Sequence, residues 1–152
     1  MPADRASAPD TNLLFDAWLV SRSITFLLDE ALAPSGLTAD EFAVYSVLLT
    51  GPLTPTELAT WMSAPMTTVS SYVKRFESRG HVRRVENEDD ARSYRLTLTR
   101  AGVAAHQRAG ALFLPMLGAV EDALGRSRGT VERSLTLLER ALREVGAPAA
   151  RP

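Results

Sequence analysis

Apolar residues recur at helical spacing through the first quarter of the chain. Leu13, Ala17, Val20, Ile24, Leu27, Leu28 and Ala31 form one stripe, which predicts a helix from about Asp10 to Ala33 with Asp10 as candidate N-cap and Pro34-Ser35-Gly36 as its stop. Phe15, Trp18, Leu19 and Phe26 widen the apolar surface beyond that stripe. A helix apolar on two sides needs more than one partner, either a central position or a subunit interface. A second helix opens at the capping-box sequence Thr38-Ala39-Asp40-Glu41 and stops at Gly51-Pro52. A third, shorter one opens the same way at Thr54-Pro55-Thr56-Glu57, with Pro55 suited to the first helical position. Ser63-Ala64-Pro65 then breaks the chain tightly, and a fourth helix runs from about Met66 to Arg79 before Gly80.

The fourth helix has two unlike faces. Val69, Tyr72, Val73 and Phe76 point inward, while the other side carries Thr67, Ser70, Ser71, Lys74 and Ser78. An ordinary solvated helix favours Glu and Lys there for propensity, so a face of small hydroxyls stands out. After Gly80 the period becomes extended: Val82 to Glu86 and Tyr94 to Thr99 read as two short strands around the polar loop NEDDARS, a hairpin with a charged tip. The rest is helical, with a long segment from about Arg100 to Leu124 containing Pro115, a break at Gly125–Gly129 and a last helix from about Thr130 to Val145. In that last helix Val131, Leu135, Leu138, Leu142 and Val145 are spaced 4, 3, 4 and 3 apart, a coiled-coil-like seam that must pack on something.

At 152 residues the chain is long enough for one domain with a real core and short for two. The segments MPADRASAP and GAPAARP read as loose tails. The absence of cysteine excludes disulfides, thiolate metal sites and cysteine-based redox sensing. No uncharged run reaches the ~20 apolar residues of a membrane span, and no basic region precedes an apolar run at the start, so a cytoplasmic protein with no membrane partner is expected. The net charge of −1 hides an asymmetry: residues 1–50 hold two arginines against seven carboxylates, whereas residues 66–100 hold eight Lys/Arg against five Asp/Glu. A basic middle behind an acidic first third suggests that one part faces a polyanion.

A short capped helix, a tight turn, a hydroxyl-faced helix and a basic hairpin follow one another without interruption. In a helix-turn-helix the second helix enters the major groove, where small hydroxyls permit close approach and bond base edges or phosphates. A wing arginine can enter the narrow minor groove. The stretch MTTVSSYVKRFESRGHVRRVENEDDARSYRLTLTRAG resembles the recognition helix and wing of MarR-family regulators, with Asp90-Ala91-Arg92 at the wing tip and Leu98-Thr99-Arg100-Ala101-Gly102 closing it. LTPTELATWMS resembles the family's helix-turn-helix opening. The motif-level match covers about 53–102, and one feature departs: Pro65-Met66 stands where many relatives carry a serine or threonine cap.

The resemblance implies a mostly α fold with a small two-stranded antiparallel wing. A winged helix-turn-helix (37–102) would be flanked by N- and C-terminal dimerisation helices (10–36 and 103–146), within a single domain 1–152. It implies Arg92 as the minor-groove arginine, Asp90 as the residue holding the wing and neighbouring arginines, and base or phosphate contacts from Thr67, Thr68, Ser70, Ser71 and Lys74. Arg75, and more weakly Arg79, Arg83, Arg84 and Arg95, are backbone candidates. The partners implied are double-stranded DNA at a pseudo-palindromic site, a second copy of the chain, and a small phenolic or lipophilic effector that releases a repressor. The alternative is a winged-helix module for protein–protein contact that has lost DNA binding. Taken singly, the hydroxyl face is also a solvated surface and Asp90/Arg92 a surface ion pair; their order and spacing favour DNA. Trp18 and Trp61 read as core or interface residues. His81 and His106 share no metal-ligand spacing, the acidic runs lack a buried partner, and no phosphate loop or nucleophile elbow occurs, so neither an enzyme nor a cofactor or metal site is expected.

Overall fold

Helix α1 (Leu13–Leu32) starts at Asn12, whose side-chain oxygen accepts from the N–H groups of Leu14 and Phe15 at 3.1 Å each. The structure, a computed structural model, describes residues 12–146. The expected cap Asp10 and the two expected tails therefore lie outside the described residues, apart from Gly146 at the end of the last helix. Among the described residues no helix is long and apolar enough to cross a membrane. The chain divides into two units between Phe113 and Leu114.

In the first unit a short 3-10 turn (Ala33–Ser35) leads to α2 (Ala39–Leu48), and both predicted capping boxes form. Thr38 and Glu41 satisfy each other's amides at the start of α2, and Thr54 and Glu57 do the same for α3 (Pro55–Met62). After a turn in which Ser63 adopts a left-handed conformation (φ 49°), α4 spans Met66–Ser78. It closes in a Schellman arrangement, with Gly80 at φ 68° and the His81 amide donating to the Phe76 carbonyl at 2.9 Å. Strands β1 (Val82–Glu86) and β2 (Tyr94–Leu98) pair antiparallel, Val82 opposite Leu98 and Glu86 opposite Tyr94. Leu53 adds a one-residue third edge by exchanging hydrogen bonds of 3.1 and 2.7 Å with Leu96.

These elements enclose one core that includes Leu32, Val44, Tyr45, Leu58, Val69, Val73, Phe76 and Leu96. Burying each large side chain contributes about 1.5–3 kcal/mol. Val69, Val73 and Phe76 therefore fix the roll of α4, and its hydroxyl face must point out. Helix α5 (Arg100–Leu124) begins where Thr99 ties the hairpin's end to its start. The Thr99 hydroxyl donates to the Gly80 carbonyl at 2.6 Å and accepts from the Gly102 amide at 3.1 Å. Gly102 is buried against the His81 carbonyl, which would lie 2.1 Å from any added Cβ.

The second unit contains the end of α5, a 3-10 turn (Gly125–Ser127) and α6 (Arg128–Gly146). The break is shorter than its glycines suggest. Arg128 joins the helix and pairs with Glu121 at 3.0 Å and Glu132 at 2.8 Å, anchoring the first turn of α6. No residue of α6 is buried; of its seam, Leu138 is half-buried and Val131, Leu135, Leu142 and Val145 are exposed.

Replacing Gly102 with Ala forces the His81 carbonyl aside. Denaturant unfolding is expected to show a loss of about 1–3 kcal/mol, the usual cost of overpacking; an unchanged or raised midpoint would contradict the close approach.

Candidate nucleic-acid interface

Thr67, Thr68, Ser70, Ser71, Lys74 and Arg75 are all exposed on α4, while Val69, Val73 and Phe76 are buried behind them. Pro65 occupies the N-cap and makes no side-chain cap hydrogen bond, so the departure read in the sequence is real. Its carbonyl still accepts from Thr68 and Val69, at 3.0 and 3.2 Å. The first side chain at the mouth of the helix is then Met66, 46% exposed. The Ser71 hydroxyl donates back to the Thr67 carbonyl at 3.0 Å, which leaves its lone pairs facing out.

The wing is organised by a residue the sequence did not single out. Asn87, buried at the base of the tip, donates to Ser93 Oγ at 2.6 Å, and its carbonyl oxygen accepts from Arg95 Nε at 3.0 Å and the Asp89 amide at 3.3 Å. Arg95 extends this fastening to Asp89 at 3.0 Å, to the Pro52 carbonyl at 3.2 Å and towards Glu57 of α3 at 3.6 Å. Asp90 acts on backbone: it accepts from the Arg92 amide at 3.0 Å and shapes the turn. The arginine held at the wing is Arg95, and its carboxylate is Asp89. Arg92 stands exposed at the tip.

The eight cations of residues 66–100 separate into two groups. Arg75 and Arg79 reach the Glu41 carboxylate of α2 at 2.9 and 3.0 Å. Arg84 forks onto Glu77 at 2.7 and 3.0 Å and lies 4.3 Å above the Tyr94 ring, and Arg95 is held as described. Lys74, Arg83, Arg92 and Arg100 are exposed with no ion pair among the described residues. Composition alone could not make that division, because it depends on which carboxylates the fold brings near.

Polar groups behind α4 hold it to α2. Glu41 is 1% exposed. Burial raises its pKa, but hydrogen bonds from Arg79, the Thr38 amide and Arg75 outweigh this and the net direction is down. Tyr72 donates to Asp40 Oδ2 at 3.0 Å, its phenol pushed up to about 12 by burial and then by that carboxylate. Tyr45, fully buried and also pushed up to about 12 by burial, lies 3.0 Å from Nδ1 of His81. His106 pairs with Ser46 Oγ at 2.9 Å and stacks on Phe42. Both histidines are structural members of the first unit. Trp18 and Trp61 are 56% and 59% exposed, which excludes the core half of the earlier expectation.

A hydroxyl-faced helix behind a tight turn, with a fastened two-stranded hairpin beside it, defines a winged helix-turn-helix protein. A family model described as "Sugar-specific transcriptional regulator TrmB" matches residues 32–99. The multiple antibiotic resistance protein MarR of Salmonella typhimurium is 31% identical over 98 residues, 61% of this chain and 68% of the relative. Among solved structures, the M. tuberculosis transcriptional regulator MosR in complex with DNA is similar with a TM-score of 0.76 and 28% identity, over 90% of this chain and 99% of MosR. A mutant MarR from E. coli gives 0.69 and 26%, over 89% of this chain and 99% of that one. The chain belongs to the MarR family of winged helix-turn-helix transcriptional regulators.

Burial depresses the pKa of both His81 and His106, and for His81 the neighbouring Arg79 and Arg108 charges act the same way. A histidine kept neutral in the fold but free to protonate when unfolded contributes stability that is complete above the unfolded pKa of about 6.5. That stability is lost as pH falls towards the folded value. NMR titration should therefore place both imidazole midpoints below 6.5, with unfolding free energy declining as pH drops through 6; midpoints above 6.5 would contradict the burial.

Proposed function

We propose that this protein is a sequence-specific regulator that binds duplex DNA as a homodimer at a pseudo-palindromic operator, a repressor released by a small phenolic or lipophilic effector. The observation that carries the reading is the outer face of α4, where Thr67, Thr68, Ser70, Ser71 and Lys74 are exposed together beside a wing whose tip arginine, Arg92, has no ion-pair partner among the described residues. In this reading the hydroxyls and Lys74 meet base edges and phosphates in the major groove, and Arg92 enters the minor groove with Asp90 shaping the turn beneath it. Arg75 joins this set only by leaving Glu41.

The dimer is supported by apolar surface left uncovered in one chain. Phe15, Trp18 and Phe26 of α1 are 45%, 56% and 62% exposed, and Leu135 and Leu142 of α6 are 55% and 50% exposed. Single exposed apolar residues are ordinary; this many on helices with a continuous apolar stripe need a partner surface. Two-fold symmetry then sets half-sites about one DNA turn apart. Release by a lipophilic effector is supported by family membership and by the aromatic face of α1, where Phe15 stacks on Trp18 at 5.7 Å. The ligand would favour the dimer spacing that misfits DNA.

The test is binding to a fluorescent duplex from the region upstream of the protein's own coding sequence, across a salt series. Two protomers per site are expected, with a log–log salt slope of about −7 if each protomer's four unpaired cations meet phosphate. Arg92→Ala should lose about 1–3 kcal/mol, the scale of a good groove contact. Binding no tighter than to scrambled duplex, here and on genomic fragments, would contradict the reading and leave the protein-contact module in its place.

A further inference from the structure

We infer that Glu41 withholds Arg75 and Arg79 from the DNA backbone and so limits the affinity for duplex DNA of any sequence. The inference rests on the DNA-binding reading above and adds a residue from α2, outside the helix pair α3 and α4 and the wing strands. Glu41 is the only buried carboxylate among the described residues. Its Oε1 accepts from Arg75 Nη1 at 2.9 Å, and its Oε2 accepts from Arg79 Nη1 at 3.0 Å and the Thr38 amide at 3.2 Å. The two arginine side chains are 48% and 35% exposed, so both reach solvent while held by Glu41. Long and already at the surface, they would otherwise serve as phosphate ligands.

The contest between Glu41 and a phosphate is unequal. A phosphate contact is made at the surface and weakened by salt, whereas withdrawing both guanidinium groups strands a desolvated carboxylate without its partners. Arg75 is further detained by the Tyr72 ring, 5.4 Å from its guanidinium carbon, and Tyr72 is itself anchored to Asp40. Phosphate neutralisation carries no sequence information, so each cation removed from that task lowers affinity for every duplex equally. The preference between one duplex and another is left to the groups that read the grooves. Glu41 therefore lowers nonspecific affinity while it holds α4 in register.

Three proteins decide the matter: wild type, Glu41→Gln and Arg75→Gln, each titrated with scrambled and upstream duplex over a salt series. Gln serves at the third position of a capping box, so Glu41→Gln keeps the start of α2 while giving up the charge. Circular dichroism and unfolding curves establish that each variant is folded. In Glu41→Gln the slope on scrambled duplex should steepen by about one for each arginine released, towards about −11 for the dimer. Its affinity for scrambled and for upstream duplex should rise several-fold alike, because the added phosphate contacts carry no sequence information. Arg75→Gln should keep the wild-type slope to within about half a unit. A fall of about one per protomer in Arg75→Gln would show Arg75 already on phosphate and overturn the inference, as would a folded Glu41→Gln with the wild-type slope. If Glu41→Gln does not fold, the Arg75→Gln slope decides alone. Wild type without salt-dependent binding to either duplex would instead overturn the DNA reading and this inference with it.

Discussion

The arrangement of this domain turns on a buried carboxylate. Apolar packing through Val69, Val73 and Phe76 sets which face of α4 points out, but a greasy stripe tolerates sliding along its axis. Glu41 removes that freedom, because two guanidinium groups one turn apart must meet its two oxygens at 2.9 and 3.0 Å. Asp40 and Tyr72 add a second tie between the same helices. A buried ion pair of this kind adds little net stability over an apolar pair of equal volume; its use lies in selecting one register. In the proposed function the register matters, because there the hydroxyl face matches a groove only if α4 is held to within a fraction of its own pitch.

The wing obeys the same logic with weaker parts. Two paired strands alone are marginal, and this hairpin borrows rigidity from its surroundings. Leu53 pairs with Leu96 on one side, Arg84 joins Glu77 of α4 on the other, and Asn87 and Arg95 fasten the tip to Pro52. Half of the basic residues between 66 and 100 are consumed in this fastening and in the Glu41 cluster. What faces outward is a small set of cations and a row of hydroxyls, suited to reading a groove more than to gripping a backbone.

Much of this was legible in the sequence, for a physical reason. Caps, turns and periodicity are local, so Thr38, Thr54, Gly80 and the alternation in β2 announced their elements to within a residue or two. The outward face of α4 was legible too, because the spacing of Val69, Val73 and Phe76 dictates what lies opposite. The losses are long-range. Glu41 read as a capping residue and nothing in its neighbourhood foretold Arg75 and Arg79, more than thirty residues on. Arg75 and Lys74 are adjacent cations that the sequence cannot tell apart, yet among the described residues Arg75 has an ion-pair partner and Lys74 has none. Asn87 read as part of a polar loop, although a buried amide ringed by Ser93, Asp89 and Arg95 is what gives that loop its shape.

The central claim is that the wing tip meets the minor groove on either side of a two-fold site. The chain has no cysteine, so Ala91→Cys, exposed beside Arg92, gives a unique attachment point for an iron–EDTA cleavage reagent. The labelled protein bound to the upstream duplex should cut both strands in two compact clusters, symmetric about the site's centre and positioned in the minor groove. Cleavage spread evenly along the duplex, or none above the free reagent, would contradict the account.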